Sequence, residues 1–189
     1  LFAGDEEGLI EWHCANQNRK YSEEITAFSI RQMGDDGGVT SFSDNRSPYW
    51  AMSKGFRSMI DDIQVKYEET DFAWSTPESF NALKFKNIGG ETLPELEVPS
   101  KPIVLEHPID GKKGLHYSWP IITAYVDYDD DEFQYIHEEI LSHILNPMYI
   151  YHHMWEEGDI ILNEQYHSLH KRDQYKGDRL LYRSAIYVT

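Results

Sequence analysis

The chain has 189 residues, with 33 acidic and 17 basic side chains, and a formal net charge of −16. This charge argues against nucleic acid or an anionic membrane as a partner, because both are bound through clustered Lys and Arg. Hydrophobic residues make up 40% of the chain, too many for a disordered acidic protein, so we expect a single folded domain over 1–189. No apolar run is long enough to span a bilayer. The single cysteine, Cys14, excludes a disulfide framework and fits a reducing compartment, and we expect a cytoplasmic protein.

In the first half of the chain, alternation and turn signals predict two strands and a helix. The strands are 25–30 and 39–43, separated by the turn signal Asp-Asp-Gly-Gly at 35–38. Ser47 as N-cap and Pro48 at the first helical position predict a helix that continues at helical spacing to Ile63. Residues 68–100 lack periodicity, and we interpret them as a long loop or lid.

The second half predicts one more helix and several short strands. An apolar stripe from Phe133 to Ile144 predicts the helix, and Asn146-Pro147 ends it. The predicted strands are 102–106, 114–118, 148–155, 159–162 and 180–188. Many short strands with two helices indicate a mainly β protein, a sandwich or barrel with helical cover.

Two histidines stand out, His13 near the start of the chain and His170 after a predicted strand. Histidines far apart in sequence can meet in a β-barrel and bind iron, copper or zinc, although a hydrogen-bonded structural histidine is the simpler interpretation. The pair His152-His153 points to opposite faces of a strand, and His137 and His143 have a poor chelating spacing on a helix. We interpret these four as surface or half-buried histidines.

Arg179 and Arg183 lie four apart on a predicted strand and therefore face the same side. Two guanidinium groups on one face of a buried strand need anionic partners, either from a ligand or from protein carboxylates. The sequence leaves both alternatives open.

Four segments follow one another along the chain: 9–13 (LIEWH), 37–40 (GGVT), 107–115 (HPIDGKKGL), and 155–170 followed by Arg179 and Arg183. In this order they resemble the signature of taurine dioxygenase-like enzymes, which are iron(II)- and 2-oxoglutarate-dependent oxygenases. The resemblance runs from about residue 9 to residue 188. It implies a double-stranded β-helix, or jelly-roll, core and O₂ as a co-substrate.

The resemblance also implies roles for individual residues. His13 and His170 would bind Fe(II). Arg179, helped by the hydroxyl of Thr40, would hold the distal carboxylate of 2-oxoglutarate, and Arg183 would lie near its other carboxylate or the substrate. A planar guanidinium binds carboxylate bidentately and neutral imidazole suits iron(II), so the chemistry is consistent. Asn16, Tyr117 and Trp119 fall where the family often contacts substrate, with core packing as the alternative for the two aromatic residues.

One position departs from the family. Members usually carry Asp or Glu two residues after the first histidine, and here that position is Ala15, whose methyl group cannot bind iron. In the wider superfamily a small residue at this point marks the radical halogenases, where chloride takes the vacated position. We therefore favour chlorination of a C–H bond. The alternatives are hydroxylation with water or another carboxylate such as Glu164 at the metal, an engineered substitution, or lost activity.

Two further expectations concern the whole protein. The first predicted ligand is at position 13, whereas the family normally has a sizeable portion before it, so we expect a catalytic core that lacks an N-terminal part. The acidic surface suits a cationic or amino-acid-like small molecule as substrate. A non-catalytic jelly roll that holds an anion on Arg179 and Arg183 is the alternative outside enzymes.

Overall fold

The computed structural model describes residues 2–4, 9–14, 24–67, 83–85 and 100–186. Its α-helices are α1 (Arg46–Ala51), α2 (Lys54–Ile60) and α3 (Asp130–Ile144), and 3-10 turns lie at Trp119–Ile121 and Pro147–Tyr149. Its strands are β1 (Phe2–Gly4), β2 (Ile10–His13), β3 (Ile25–Gln32), β4 (Asp36–Gly37), β5 (Thr40–Asp44), β6 (Gln64–Tyr67), β7 (Leu83–Phe85), β8 (Lys101–Pro102), β9 (Val104–Glu106), β10 (Lys113–Leu115), β11 (Ile122–Tyr125), β12 (Ile150–His153), β13 (Ile160–Glu164), β14 (Ser168–Arg172), β15 (Tyr175–Lys176) and β16 (Arg179–Ile186). None of the helices in these ranges combines the length and apolar character that crossing a membrane requires.

Two antiparallel sheets form the frame of the fold. One has five strands in the order β13-β3-β16-β1-β7, and the other has four in the order β12-β5-β14-β2. In both sheets the hydrogen-bonded neighbours are distant in sequence, as in the double Greek key of a jelly roll. The predicted fold class, mainly β with helical cover and a jelly-roll core, is confirmed.

A small apolar cluster fills part of the space between the two sheets. It consists of Phe28, Ile30, Trp155 and Leu181, with Phe42 packed against it. Thr26, Phe28 and Ile30 are buried at alternate positions of β3, as expected for a strand with one inward face. The residues between them are half-buried, which fits the outer face of the same sheet.

A larger core lies between the four-stranded sheet and the helices. Trp12 of β2 and Leu169 of β14 pack there with Ile136, Ile140 and Ile144 of α3. The helix begins with a capping box in which Asp129 and Glu132 satisfy each other's backbone N–H groups. Because side chains alternate along a strand, burying Trp12 and Leu169 on this face turns their neighbours His13 and His170 toward the other sheet.

Several predicted elements differ from the observed ones. The single helix predicted from Ser47 is two helices, because the backbone is extended at Met52 and the Ser53 side chain accepts a hydrogen bond from Phe56 N to start α2. The first helix also begins at Arg46, one residue before the predicted N-cap. Within the predicted lid, β7 pairs with β1, which corrects the interpretation as a loop at those three residues. The rest of that segment, 68–82 and 86–99, lies outside the described residues.

Candidate metal and 2-oxoglutarate site

His13 and His170 face each other across two neighbouring strands. They are directly paired in the antiparallel register of β2 and β14, and their ring centroids are 4.2 Å apart. Each is only 7% exposed, and the ring of Phe28 packs edge-on against His170 from the opposite sheet. The structure therefore brings together the two histidines that the sequence singled out.

Both imidazoles are neutral. Burial, with a smaller contribution from nearby Arg183, lowers the pKa of His13 to about 4 and the pKa of His170 well below its usual value. His13 Nδ1 lies 2.7 Å from the carbonyl oxygen of Glu11, so its N–H donates there and Nε2 carries the lone pair. A neutral ring with its lone pair on one nitrogen is the form in which histidine binds metals.

Arg179 of β16 is buried, and the charge of Arg172 acts on it as it does on His13. Its side chain is 5% exposed and its guanidinium lies near the rings of Trp155 and Tyr175, with centroid distances of 5.8 and 5.4 Å. Within the part of the chain that the structure describes, Nε and Nη2 have no hydrogen-bond partner. These two nitrogens form one edge of the guanidinium, the edge that binds a carboxylate with two parallel hydrogen bonds.

Thr40 and the glycines before it lie next to Arg179. The Trp155 indole N–H donates to Thr40 Oγ1 at 2.8 Å, which leaves the Thr40 hydroxyl proton free to be donated to a ligand. Gly38 has a φ of 77°, and a Cβ there would lie 3.1 Å from the Tyr175 Cβ and 3.7 Å from Arg179 Nε. The glycine therefore lets the backbone approach the Arg179 side chain without filling the space beside it.

Together these residues form what we call the cationic cluster: His13, His170, Arg172, Arg179 and Arg183. Arg172 lowers the pKa of His13, and after burial it is the largest cause that lowers the pKa of Arg179, to about 10. Among the described residues, no carboxylate is one of the groups that shift the pKa of His13, His170 or Arg179. Two paired imidazoles, and a guanidinium edge without a partner among the described residues, fit a metal ion together with a small ligand that carries carboxylates.

The sequence missed Arg172. A strand prediction for β14 would have revealed it. Arg172 lies two residues after His170 on that strand and therefore faces the same side. Arg183, by contrast, was predicted, and it lies on β16 opposite Phe28 and close enough to lower the pKa of both histidines.

Known proteins resemble this chain in sequence and in fold. A model of the family described as "Taurine catabolism dioxygenase TauD, TfdA family" matches residues 2–185. The chain belongs to this family. A similar solved structure, a taurine dioxygenase from Burkholderia xenovorans, has a TM-score of 0.77 at 18% identity and is matched over 99% of this chain and 61% of that one. Another, AAD-2 in complex with Mn(II) and N-oxalylglycine, has a TM-score of 0.76 at 19% identity over 95% of this chain and 60% of that one.

Curated relatives within the TauD/TfdA family include enzymes of different names. An (S)-phenoxypropionate/alpha-ketoglutarate-dioxygenase of Sphingobium herbicidovorans is 24% identical over 87% of this chain and 56% of its own length. A pentalenolactone F synthase of Streptomyces arenae is 21% identical over 80% of this chain and 52% of its own length. The chain thus spans about half of the length of the curated relatives that it matches.

The other predicted site residues of this TauD/TfdA chain are placed as follows. Tyr117 is fully buried in the larger core, where its hydroxyl contacts Tyr125 and lies 2.7 Å from His137 Nδ1. Trp119 packs partly buried against the same core. These positions favour the packing alternative for both aromatic residues. Ala15 and Asn16 lie outside the described residues.

Glu164, the alternative carboxylate ligand, is held elsewhere. Its carboxylate accepts backbone N–H groups of Tyr166 and His167, the latter at 3.1 Å, and burial raises its pKa. The positive groups that act on it are His107 and Arg46 rather than His13 or His170. This arrangement argues against Glu164 as a third ligand. Among the described residues, no group of three or more His, Cys, Asp or Glu could hold a metal ion.

The remaining histidines of the sequence analysis make ordinary contacts. His152 Nδ1 lies 2.7 Å from Ser41 Oγ, and His153 Nε2 lies 3.0 Å from Asp159. His143 Nδ1 donates to the backbone carbonyl of Glu139 at 2.9 Å. Cys14 is buried with Trp12 in the larger core, on the face away from His13.

Proposed function

We propose that this chain carries the catalytic core of an iron(II)- and 2-oxoglutarate-dependent enzyme that oxidises a C–H bond of a small molecule. The observation that supports this most strongly is the pairing of His13 with His170, together with a buried guanidinium edge of Arg179 that has no partner among the described residues. A structural salt bridge, the alternative that the sequence left open, would have supplied that edge with a carboxylate.

In this proposal each residue has a defined task. His13 and His170 hold iron(II) through their lone-pair nitrogens. Arg179 binds the distal carboxylate of 2-oxoglutarate through Nε and Nη2, and the hydroxyl proton of Thr40 is donated to the same carboxylate. Arg172 and Arg183 add positive charge for the cosubstrate's other carboxylate. Bound iron(II), with 2-oxoglutarate and O₂, supplies the oxidising power that breaks the substrate C–H bond.

The finer proposal concerns the third protein ligand. Ala15 stands where the family usually has a carboxylate, and its methyl group offers no electron pair. We propose that chloride takes this place and that the product is a chlorinated molecule. Hydroxylation is the second candidate, because relatives of this chain are named dioxygenases and synthases.

An anaerobic titration with iron(II) and 2-oxoglutarate, followed by visible absorption, tests the first proposal. We expect a metal-to-ligand charge-transfer band in the wild type and none in His170→Gln. If the wild type binds 2-oxoglutarate without metal and shows no band, the chain is a non-catalytic anion-binding jelly roll instead.

Adding chloride to the same mixture tests the proposal that chloride takes the place of the missing carboxylate. We expect the band to shift with chloride in the wild type and to become insensitive to chloride in Ala15→Asp, which restores a carboxylate. A band that ignores chloride in both proteins favours hydroxylation. Product mass spectrometry with cationic, amino-acid-like candidates then tests the substrate class that the acidic surface favours.

A further inference from the structure

Asn163 of β13 contacts His170 from the opposite sheet. It is 7% exposed, and its amide nitrogen lies 3.5 Å from His170 Nδ1, on the five-stranded sheet facing the four-stranded one. Its amide oxygen lies 3.0 Å from Ser168 Oγ, and Ser168 Oγ also contacts the backbone carbonyl oxygen of Glu164. A chain of polar atoms thus runs from a backbone carbonyl through Ser168 and Asn163 to His170.

The protons along this row of polar atoms can be placed in only one consistent way. The orientation with the amide nitrogen toward His170 does not allow it. With the amide nitrogen toward His170, Nδ1 must accept, so the single proton of the neutral ring sits on Nε2. Ser168, which has one hydroxyl proton, would then face two acceptors, the Asn163 oxygen and the Glu164 carbonyl. One of these contacts would place two lone pairs against each other.

A half-turn of the amide about its Cβ–Cγ bond removes this conflict. The Ser168 hydroxyl then donates to the Glu164 carbonyl, the Asn163 amide nitrogen donates to Ser168 Oγ, and the Asn163 oxygen accepts from His170 Nδ1–H. Amide oxygen and nitrogen occupy equivalent positions, so the hydrogen-bond network decides between the two orientations. In this orientation His170 carries its lone pair on Nε2, the same tautomer that the Glu11 carbonyl imposes on His13.

We infer that Asn163, held by Ser168, is a positioning residue that fixes the Nε2 lone-pair tautomer of His170 and so prepares it to bind the metal. Hydrogen bonds of this kind to metal-binding histidines set the ring orientation and tautomer, and losing one typically weakens metal affinity by about 10- to 100-fold. The inference rests on the proposed function, since it names what prepares one of the two proposed ligands.

The test uses the metal-free protein first. Long-range ¹H–¹⁵N correlation spectra at neutral pH report which nitrogen of His170 carries the proton. We expect protonated Nδ1 in the wild type and in Asn163→Asp, whose carboxylate can only accept, and a large share of protonated Nε2 in Asn163→Leu. Protonated Nε2 in the wild type would overturn the inference.

Mn(II) binding measured by calorimetry is the second readout. Asn163→Leu should bind Mn(II) about 10- to 100-fold more weakly than the wild type, while Asn163→Asp keeps most of the affinity. Ser168→Ala, which frees the amide to turn, should fall between them. Equal losses in the Asp and Leu variants, or no loss in either, would contradict the inference. If the wild type binds no Mn(II), the proposed function fails, and the spectra of the metal-free protein still decide the role of Asn163.

Discussion

The chain buries histidines in two places, and the surroundings of the two groups differ. In the cationic cluster, His13 and His170 lie side by side between the sheets, and the charge of Arg172 acts on both His13 and Arg179. The second group, which we call the hairpin cluster, lies against the β9–β10 hairpin and consists of Arg46, His107, Asp110, His116 and His167. Burial lowers the pKa of His116 to about 4, as it does for His13, so a lowered pKa does not distinguish the two groups.

The partners of the imidazoles do distinguish them. In the hairpin cluster His167 Nε2 donates to the Leu105 carbonyl at 2.9 Å, and Arg46 donates to His167 Nδ1 at 3.3 Å. Arg46 is itself neutralised by Asp110 at 2.8 Å. This cluster even borders an open cleft of about 510 Å³, yet its hydrogen bonds are already made by the protein. In the cationic cluster, Nε and Nη2 of Arg179 have no hydrogen-bond partner among the described residues. These two donors indicate that a ligand binds there.

The largest expected effect comes from replacing Arg179, whose guanidinium edge has no partner among the described residues. Arg179→Met should weaken 2-oxoglutarate binding by roughly 30- to 5,000-fold, because truncating one partner of a buried charge pair costs about 2–5 kcal/mol. The same variant should raise the melting temperature of the ligand-free protein, since it replaces an unneutralised buried charge with an apolar side chain. Calorimetry and thermal melting measure the two effects. Unchanged affinity, or a less stable ligand-free variant, would break the comparison.

Acid should destabilise the protein through the buried neutral histidines that both clusters contain. A buried histidine with a folded pKa of about 4 and an unfolded value of 6.5 stays neutral in the native state while the unfolded chain takes up a proton. Stability therefore falls as the pH drops from 6.5 to 4, by up to about 3 kcal/mol for such a group.

His116→Gln isolates this effect outside the proposed site. Its free energy of unfolding, measured in urea at several pH values, should depend on pH less steeply than that of the wild type by about one proton between pH 6.5 and 4. Identical slopes in the two proteins would mean that His116 is not buried in its neutral form.

Thr40→Val sharpens the account of the cationic cluster. A hydrogen bond to a charged group contributes about 1.5–3 kcal/mol, so this variant should bind 2-oxoglutarate roughly 10- to 100-fold more weakly. It also leaves the Trp155 indole N–H without its acceptor, so the variant should melt at a lower temperature. Thr40→Ser, which keeps the hydroxyl, serves as the control. If the Ser and Val variants bind equally, the hydroxyl is not involved.

The smallest effect is expected in the hairpin cluster. Arg46→Met removes the pair with Asp110, whose side chains are 29% and 34% exposed. Pairs that are this accessible contribute about 1 kcal/mol or less, so stability should change little. Affinity for 2-oxoglutarate should match that of the wild type. A loss comparable with that of Arg179→Met would show that the two clusters act as one site.

Much of the frame follows from local patterns in the sequence. Alternation predicts β3 and β16, and the apolar stripe with its Asn-Pro stop predicts α3 within a few residues. The break between α1 and α2 could not be read in this way, because Met52 continues the apolar stripe while its backbone is extended. The strand β7 is three residues long and leaves no periodic signal.

The residues of the candidate site also divide into those that the sequence predicts and those that only the fold reveals. His13, His170 and Arg179 were predicted from residue chemistry and from the resemblance to a family. Asn163 was not, because an asparagine in a strand has no pattern that reveals its partner on another sheet. Its contact with His170 depends on the packing of β13 over β14, which only the folded chain defines.

The most direct test of the central claim is a Mn(II) titration of the wild type, His170→Gln and His167→Gln by calorimetry at neutral pH. Both substitutions remove a buried imidazole, and the two differ only in the cluster they affect. We predict that His170→Gln loses measurable Mn(II) binding and that His167→Gln retains an affinity close to that of the wild type. Binding that survives in His170→Gln, or that is lost equally in both variants, would contradict the assignment of the metal to the cationic cluster.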